Sequence, residues 1–255
     1  MTLAHDVAGQ GPAVVLLHSG VCDRRMWDAQ WRALAEDGNR VVRCDLRGFG
    51  ETPVPDRPHS DADDVLDLMD TLGIGRATLV GSSYGGKVAL ETAARGPDRA
   101  DGLVLLCSAL SGHPPSDRLR ALDEREDAFL DRGDIAGATE LMVGTWLGPE
   151  ADEHAREAVR RMQRHAYEVQ LAAPEEFGTL RHDVDLAALR MPALVVSGAH
   201  DLADFRDIAV HLARLLPDAR HVELPWAGHL PGLERPAAVT DLLTGFLRRE
   251  RTEGR

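Results

Sequence analysis

The sequence predicts an α/β protein with a mainly parallel central sheet, on three observations. Strand-like runs stand at 13–17, 40–44, 77–81, 102–107, 193–197 and 220–224. Helical stretches separate them, so successive strands are joined by crossover connections and lie parallel. The chain has 255 residues and is 44% hydrophobic, enough to bury one substantial core without division into two globular domains.

Taken in order, each element has a local reason. Val14 to Leu17 is an apolar strand ending at His18, and Arg40 to Cys44 is a strand followed by Asp45-Leu46-Arg47-Gly48-Phe49-Gly50. Ser60, with Asp63 three residues on, marks a helix start over 61–72. The run at 77–81 leads into Gly81-Ser82-Ser83-Tyr84-Gly85 and then a helical pattern from Gly86. Between Gly112 and Asp183 the pattern changes to helical stretches around 118–132, 135–146 and 152–172, punctuated by Gly133, Gly148-Pro149 and Pro174. This segment reads as a helical lid inserted into the α/β core. The strands at 193–197 and 220–224 then lead into Gly198-Ala199-His200-Asp201 and Pro225-Trp226-Ala227-Gly228-His229.

The segment at 81–85 has the strand-turn-helix context that G-x-S-x-G needs to act as a nucleophile elbow. The sharp turn strains the central residue, and side chains two residues to either side would collide with the strand and helix. Ser83 is therefore expected to stand exposed at the tip. A serine hydroxyl is a poor nucleophile near neutral pH, so it needs a general base and a carboxylate that orients the base. Asp201 and His229 follow later strands in the order Ser, Asp, His, whose loops gather over one sheet edge. Asp204 and Asp207 are fallbacks for the acid, read more simply as first-turn residues of the next helix, where the dipole favours carboxylates.

These motifs together resemble the α/β-hydrolase family over nearly the whole length. The resemblance implies an α/β-hydrolase core at 1–112 and 183–255 and a helical lid at 113–182. It implies Ser83, Asp201 and His229 as catalytic residues, with no cofactor and no metal. It also implies an oxyanion hole from the backbone N–H groups of Tyr84 and Gly20, with Val21 as the alternative to Gly20, because Ser19 stands where members commonly carry glycine. His18 then supports the loop. His18 to Trp27 and Gly144 to Pro149 look like the branch containing 3-oxoadipate enol-lactonases and small carboxylesterases. The implied substrate is a small ester or lactone. If that substrate is acidic, Arg24 or Arg25 is the cation that would hold its carboxylate. Trp146, Leu147, Met142 and Met162 are lid candidates for the pocket lining, with Leu230 and Trp27 behind them. Carbon–carbon bond hydrolysis, perhydrolysis and a non-catalytic small-molecule receptor are the alternatives, because fold does not fix function.

The remaining features exclude more than they assign. A formal charge of −13 argues against nucleic acid and anionic membrane surfaces as partners. No run reaches the roughly 18 apolar residues of a membrane helix, and the start lacks a basic region before an apolar stretch. A cytoplasmic protein is the expectation; oligomeric state is not legible. Cys22, Cys44 and Cys107 have no metal spacing and are expected as free thiols. His200 beside Asp201 lacks further ligands for a metal. Asp45 and Arg47 are expected to brace their loop through a charged hydrogen bond.

Overall fold

The computed structural model describes residues 2–174, 177–180 and 182–253. Seven strands are β1 (His5–Ala8), β2 (Ala13–Leu17), β3 (Arg40–Cys44), β4 (Ala77–Ser82), β5 (Ala100–Leu106), β6 (Ala193–Gly198) and β7 (Ala219–Leu224). They form one sheet in the order β1-β3-β2-β4-β5-β6-β7. From β3 to β7 every neighbouring pair is parallel, as the crossovers require. All six strand-like runs become strands, and β4 and β6 are buried at every position, so they read as near-continuous apolar runs rather than alternating ones.

β1 carries no comparable apolar run, and the sequence reading does not include it. It is an edge strand, half exposed, held by antiparallel pairing of His5 to Ala8 with Cys44 to Val41. A four-residue edge of this kind depends on its ladder partner and leaves little hydrophobic pattern to detect.

The helices are α1 (Asp28–Glu36), α2 (Asp61–Thr71), α3 (Tyr84–Arg95), α4 (Asp117–Leu130), α5 (Ile135–Trp146), α6 (Glu153–Leu171), α7 (Ala203–Leu215), α8 (Pro231–Glu234) and α9 (Pro236–Glu253). Ser60 caps α2 as its spacing implies, with Oγ accepting from Asp63 N–H at 3.1 Å. Helices α4, α5 and α6 are the insertion between β5 and β6, and α5 packs on both of the others. Polar ties hold the insertion to the core. His165 Nε2 lies 3.0 Å from Gly50 O, Gln170 Nε2 donates to Gly48 O at 3.1 Å, and Ser116 donates to the Asp204 carboxylate through N–H and Oγ, both at 2.7 Å.

The turn from β4 to α3 is a tight junction of backbone against backbone. A Cβ on Gly81 would stand 2.2 Å from Gly85 O, and one on Gly85 would stand 2.3 Å from Leu17 O. Both contacts are with backbone, which cannot yield as a flexible side chain can. Gly81→Ala should therefore destabilise the fold by about 3 kcal/mol or more. Thermal unfolding checks this: an unchanged Tm would mean that the turn has room to spare.

Candidate active site

Ser83 joins β4 to α3 with φ 53° and ψ −114°, a conformation that side chains other than glycine rarely adopt. It is pinned on both sides: its N–H donates to Leu106 O at 2.9 Å, and its carbonyl accepts from Ala109 N–H at 3.0 Å. The backbone strain is thus held by neighbouring loops. The expectation that Ser83 is exposed is not met. It is 8% exposed, with the His229 imidazole set against its hydroxyl.

The loops after β6 and β7 bring Asp201 and His229 to this serine. Ser83 Oγ lies 2.7 Å from His229 Nε2, and His229 Nδ1 lies 2.7 Å from Asp201 Oδ2. A proton on Nδ1 donates to the carboxylate and leaves the Nε2 lone pair facing the hydroxyl. The other Asp201 oxygen, Oδ1, accepts from Leu202 N–H at 2.7 Å. Asp204 lies in the first turn of α7 and serves Ser116, while Asp207 is exposed on the same helix.

Aromatic rings enclose the histidine. The Trp146 and Phe205 ring centroids are 4.4 and 4.2 Å from that of His229, and His229 N–H donates to Trp146 O at 2.9 Å. Trp146 was legible as a lid residue; Phe205 was not, since a single aromatic on an amphipathic helix looks like core packing. Met142 accepts from the Trp146 indole N–H at 3.0 Å. Met162 instead lines a separate cavity with Arg25 and Met26. Cys107, also at positive φ (46°), donates its thiol toward Gly228 O at 3.6 Å, and burial pushes its pKa well up, with Asp201 adding to the rise. It behaves as a protonated packing group beside the acid.

The loop after β2 is shaped by His18. This buried ring donates from Nδ1 to Ser19 O at 2.8 Å and accepts from Leu46 N–H at Nε2, at 2.9 Å. Ser19 O also accepts from Cys22 N–H at 3.0 Å. The turn sets Gly20 against Tyr84, where a Cβ on Gly20 would stand 3.6 Å from Tyr84 Cβ. Tyr84 opens α3, so its N–H has no intrahelical acceptor.

A cavity of about 540 Å³ opens beside Gly20 and Tyr84, lined by Phe49, Val54, Leu130 and Leu171 with His59 and Asp61 as polar members. Asp61 is buried, which raises its pKa, but hydrogen bonds from His59 and Tyr84 outweigh this and hold it below the usual carboxylate range. Arg47, also in the lining, is engaged by Asp64 at 2.5 Å.

Two expectations about charge need correction. Arg24 is bound by Asp6 at 3.0 Å, by Glu51 at 2.5 Å and by Asp45, and Arg25 by Asp23 at 2.6 Å. Both guanidiniums already have carboxylate partners, Arg25 within its own loop and Arg24 on β1 and the loop after β3, and do not wait for another carboxylate. Nor do Asp45 and Arg47 pair with each other. The buried Asp45 meets Arg24 from the neighbouring strand's loop, while the turn at 47–50 aims Arg47 at α2. Among the described residues, His200 joins no group of metal-ligating side chains. The described cysteines, Cys22, Cys44 and Cys107, are free and buried.

The sheet order, the strained serine turn and the helical insertion define an α/β-hydrolase-type enzyme. The family model described as Alpha/beta hydrolase family matches residues 14–242, and the chain belongs to that family. RutD of Caulobacter sp. (strain K31), provisionally named a carbamate hydrolase, is 31% identical over 96% of this chain and 95% of its own. An esterase from Thermogutta terrifontis superposes with TM-score 0.80 at 31% identity, covering 97% of this chain and 93% of that one. The enol-lactonase from Burkholderia xenovorans LB400 gives TM-score 0.80 at 29% identity, covering 96% of each chain. Among the described residues no helix is long and apolar enough to cross a membrane.

Burial lowers the His18 pKa more than its bond to Ser19 raises it. The unfolded ring therefore binds a proton that the folded ring resists. Stability should be fully present above pH 6.5 and fall as the pH drops below it, His18 contributing at most about 1.4 kcal/mol per pH unit. Urea unfolding between pH 7.5 and 5 checks this, and His18→Gln should flatten the slope. An equal slope in the variant would remove His18 as the cause.

Proposed function

We propose that this protein is a serine hydrolase that cleaves a small, uncharged carboxylic ester or lactone through an acyl-enzyme on Ser83. The observation that carries the reading is the pair of 2.7 Å contacts joining Ser83 Oγ to His229 and His229 to Asp201. His229 takes the Ser83 proton as Oγ attacks the carbonyl carbon, then returns it to the leaving alkoxide as the acyl–oxygen bond breaks. Asp201 orients the imidazole and balances its positive charge. Tyr84 N–H and a donor from Gly20 or Val21 hold the oxyanion, a contribution of about 10²–10³ in rate per donor. A water deprotonated by His229 then attacks the acyl carbon, and Ser83 Oγ leaves with the proton. Aromatic cover from Trp146 and Phe205 keeps bulk water from this exchange, which strengthens each electrostatic contact. The segment 113–182 acts as the lid.

The esterase and enol-lactonase neighbours support the substrate class. The preference for an uncharged substrate rests on the engaged Arg24 and Arg25 and on the negative Asp61 in the cavity lining. A carboxylate entering beside Asp61 would be repelled.

The test is hydrolysis of p-nitrophenyl acetate, a lactone panel and a monoester of succinate. Wild type should turn over the uncharged esters or lactones, at least tenfold better than the succinate monoester. Ser83→Ala should lower kcat by about 10⁴ or more, and Asp201→Asn by about 10³–10⁴. Equal activity in Ser83→Ala would refute the nucleophile. Cleavage of a carbon–carbon diketone by an enzyme inert toward every ester and lactone would replace the reaction class.

A further inference from the structure

Glu234 is a buried carboxylate that the reaction does not use. It sits at the end of α8, five residues beyond His229, and is 9% exposed. Burial raises its pKa despite hydrogen bonds from the backbone of Gly228, Gly148 and Leu230, and the Asp201 charge adds to the rise. A carboxylate kept where its charge is disfavoured needs a reason beyond filling space, since a neutral side chain would pack there at less cost.

The reason is in its partners. Gly228 N–H donates to both carboxylate oxygens at 3.0 Å, and Leu230 N–H donates to Oε1 at 3.3 Å. These two amides bracket His229 in sequence. Gly148, just beyond α5, adds its N–H, and a Cβ there would stand 2.4 Å from Glu234 Oε2 and 2.6 Å from Gly228 N. The lid backbone and the histidine loop therefore touch across one carboxylate, reinforced by His229 N–H donating to Trp146 O at 2.9 Å. Three converging donors need an acceptor with several lone pairs and no hydrogens, which among side chains of this length only an ionised glutamate supplies. Glutamine has the same shape but turns an NH₂ group toward at least one donor.

Building on the serine-hydrolase reading, we propose that Glu234 is a positioning residue. It clamps the His229 loop to the end of α5, so that the imidazole is held in register with Ser83 only while the lid backbone is seated. It touches neither substrate nor the reacting atoms.

Glu234→Gln tests the clamp, with Val239→Ala, a buried site on α9, as a control for lost stability alone. In wild type the proton between His229 Nδ1 and Asp201 should give a downfield NMR resonance, a readout that needs no substrate. Glu234→Gln should broaden or lose that resonance and lower kcat on p-nitrophenyl acetate at least tenfold, with KM within threefold. Val239→Ala should lower Tm while leaving resonance and kcat in place. Should Glu234→Gln fail to fold, Gly148→Ala pushes on the clamp from the lid side and should give the same loss. A folded Glu234→Gln with wild-type resonance and kcat, or a Val239→Ala that loses both, would overturn the proposal. Inactive wild type with a clamp-dependent resonance would instead fault the hydrolase reading and leave the clamp standing.

Discussion

Everything at this site depends on a backbone turn that holds Ser83 at φ 53°. The conformation is unfavourable for a serine, on the order of 1–3 kcal/mol, and persists only because neighbours over-determine it. Leu106 O and Ala109 N–H fix its two peptide groups, and the absent side chains of Gly81 and Gly85 let β4, α3 and the end of β2 approach within contact of one another. The strain sets Oγ at the head of the parallel sheet, where loops from β2, β6 and β7 converge. A relaxed turn would continue the backbone into α3 and point the hydroxyl elsewhere.

Around that turn the structure spends its polar groups on holding loops rather than on reaching solvent. His18 fixes the loop after β2 through its two ring nitrogens, Asp45 organises the loop after β3 with Arg24, and Glu234 gathers the loop after β7 with the lid. Each is a buried polar side chain whose partners include backbone N–H or C=O groups, which turns a flexible connection into a fixed one. The catalytic geometry we propose joins the β4–α3 turn and the loops after β6 and β7, where Ser83, Asp201 and His229 are linked by two contacts of 2.7 Å. The aromatic pair Trp146 and Phe205 then closes the site from the lid and from α7.

Much of this was legible in the amino-acid order. Strands β2 to β6 are mostly buried and their apolar residues mark them, and the Gly-x-Ser-x-Gly spacing carries its own steric argument. The α2 cap and all three inserted helices also follow from local residues. What was not legible depends on partners distant in sequence. β1 exists because β3 offers it a ladder. Arg24 and Arg25 look like free cations until the loop geometry places Asp6, Asp45, Glu51 and Asp23 around them. Ser83 is met by His229, 146 positions later, with Trp146 packed on that imidazole, and a turn motif says nothing about what folds against it. Glu234 is invisible because its partners are backbone amides, which leave no side-chain pattern to read.

The most direct test of the central claim, that His229 activates Ser83, is labelling with an alkyl fluorophosphonate, read by intact mass and peptide mapping. The serine oxygen displaces fluoride only when a base removes its proton. The account predicts a single phosphonyl adduct on Ser83, formed in wild type and absent on the same timescale in His229→Ala. An adduct on Ser82 or another residue, no adduct at all, or labelling of Ser83 at the same rate without His229 would contradict it.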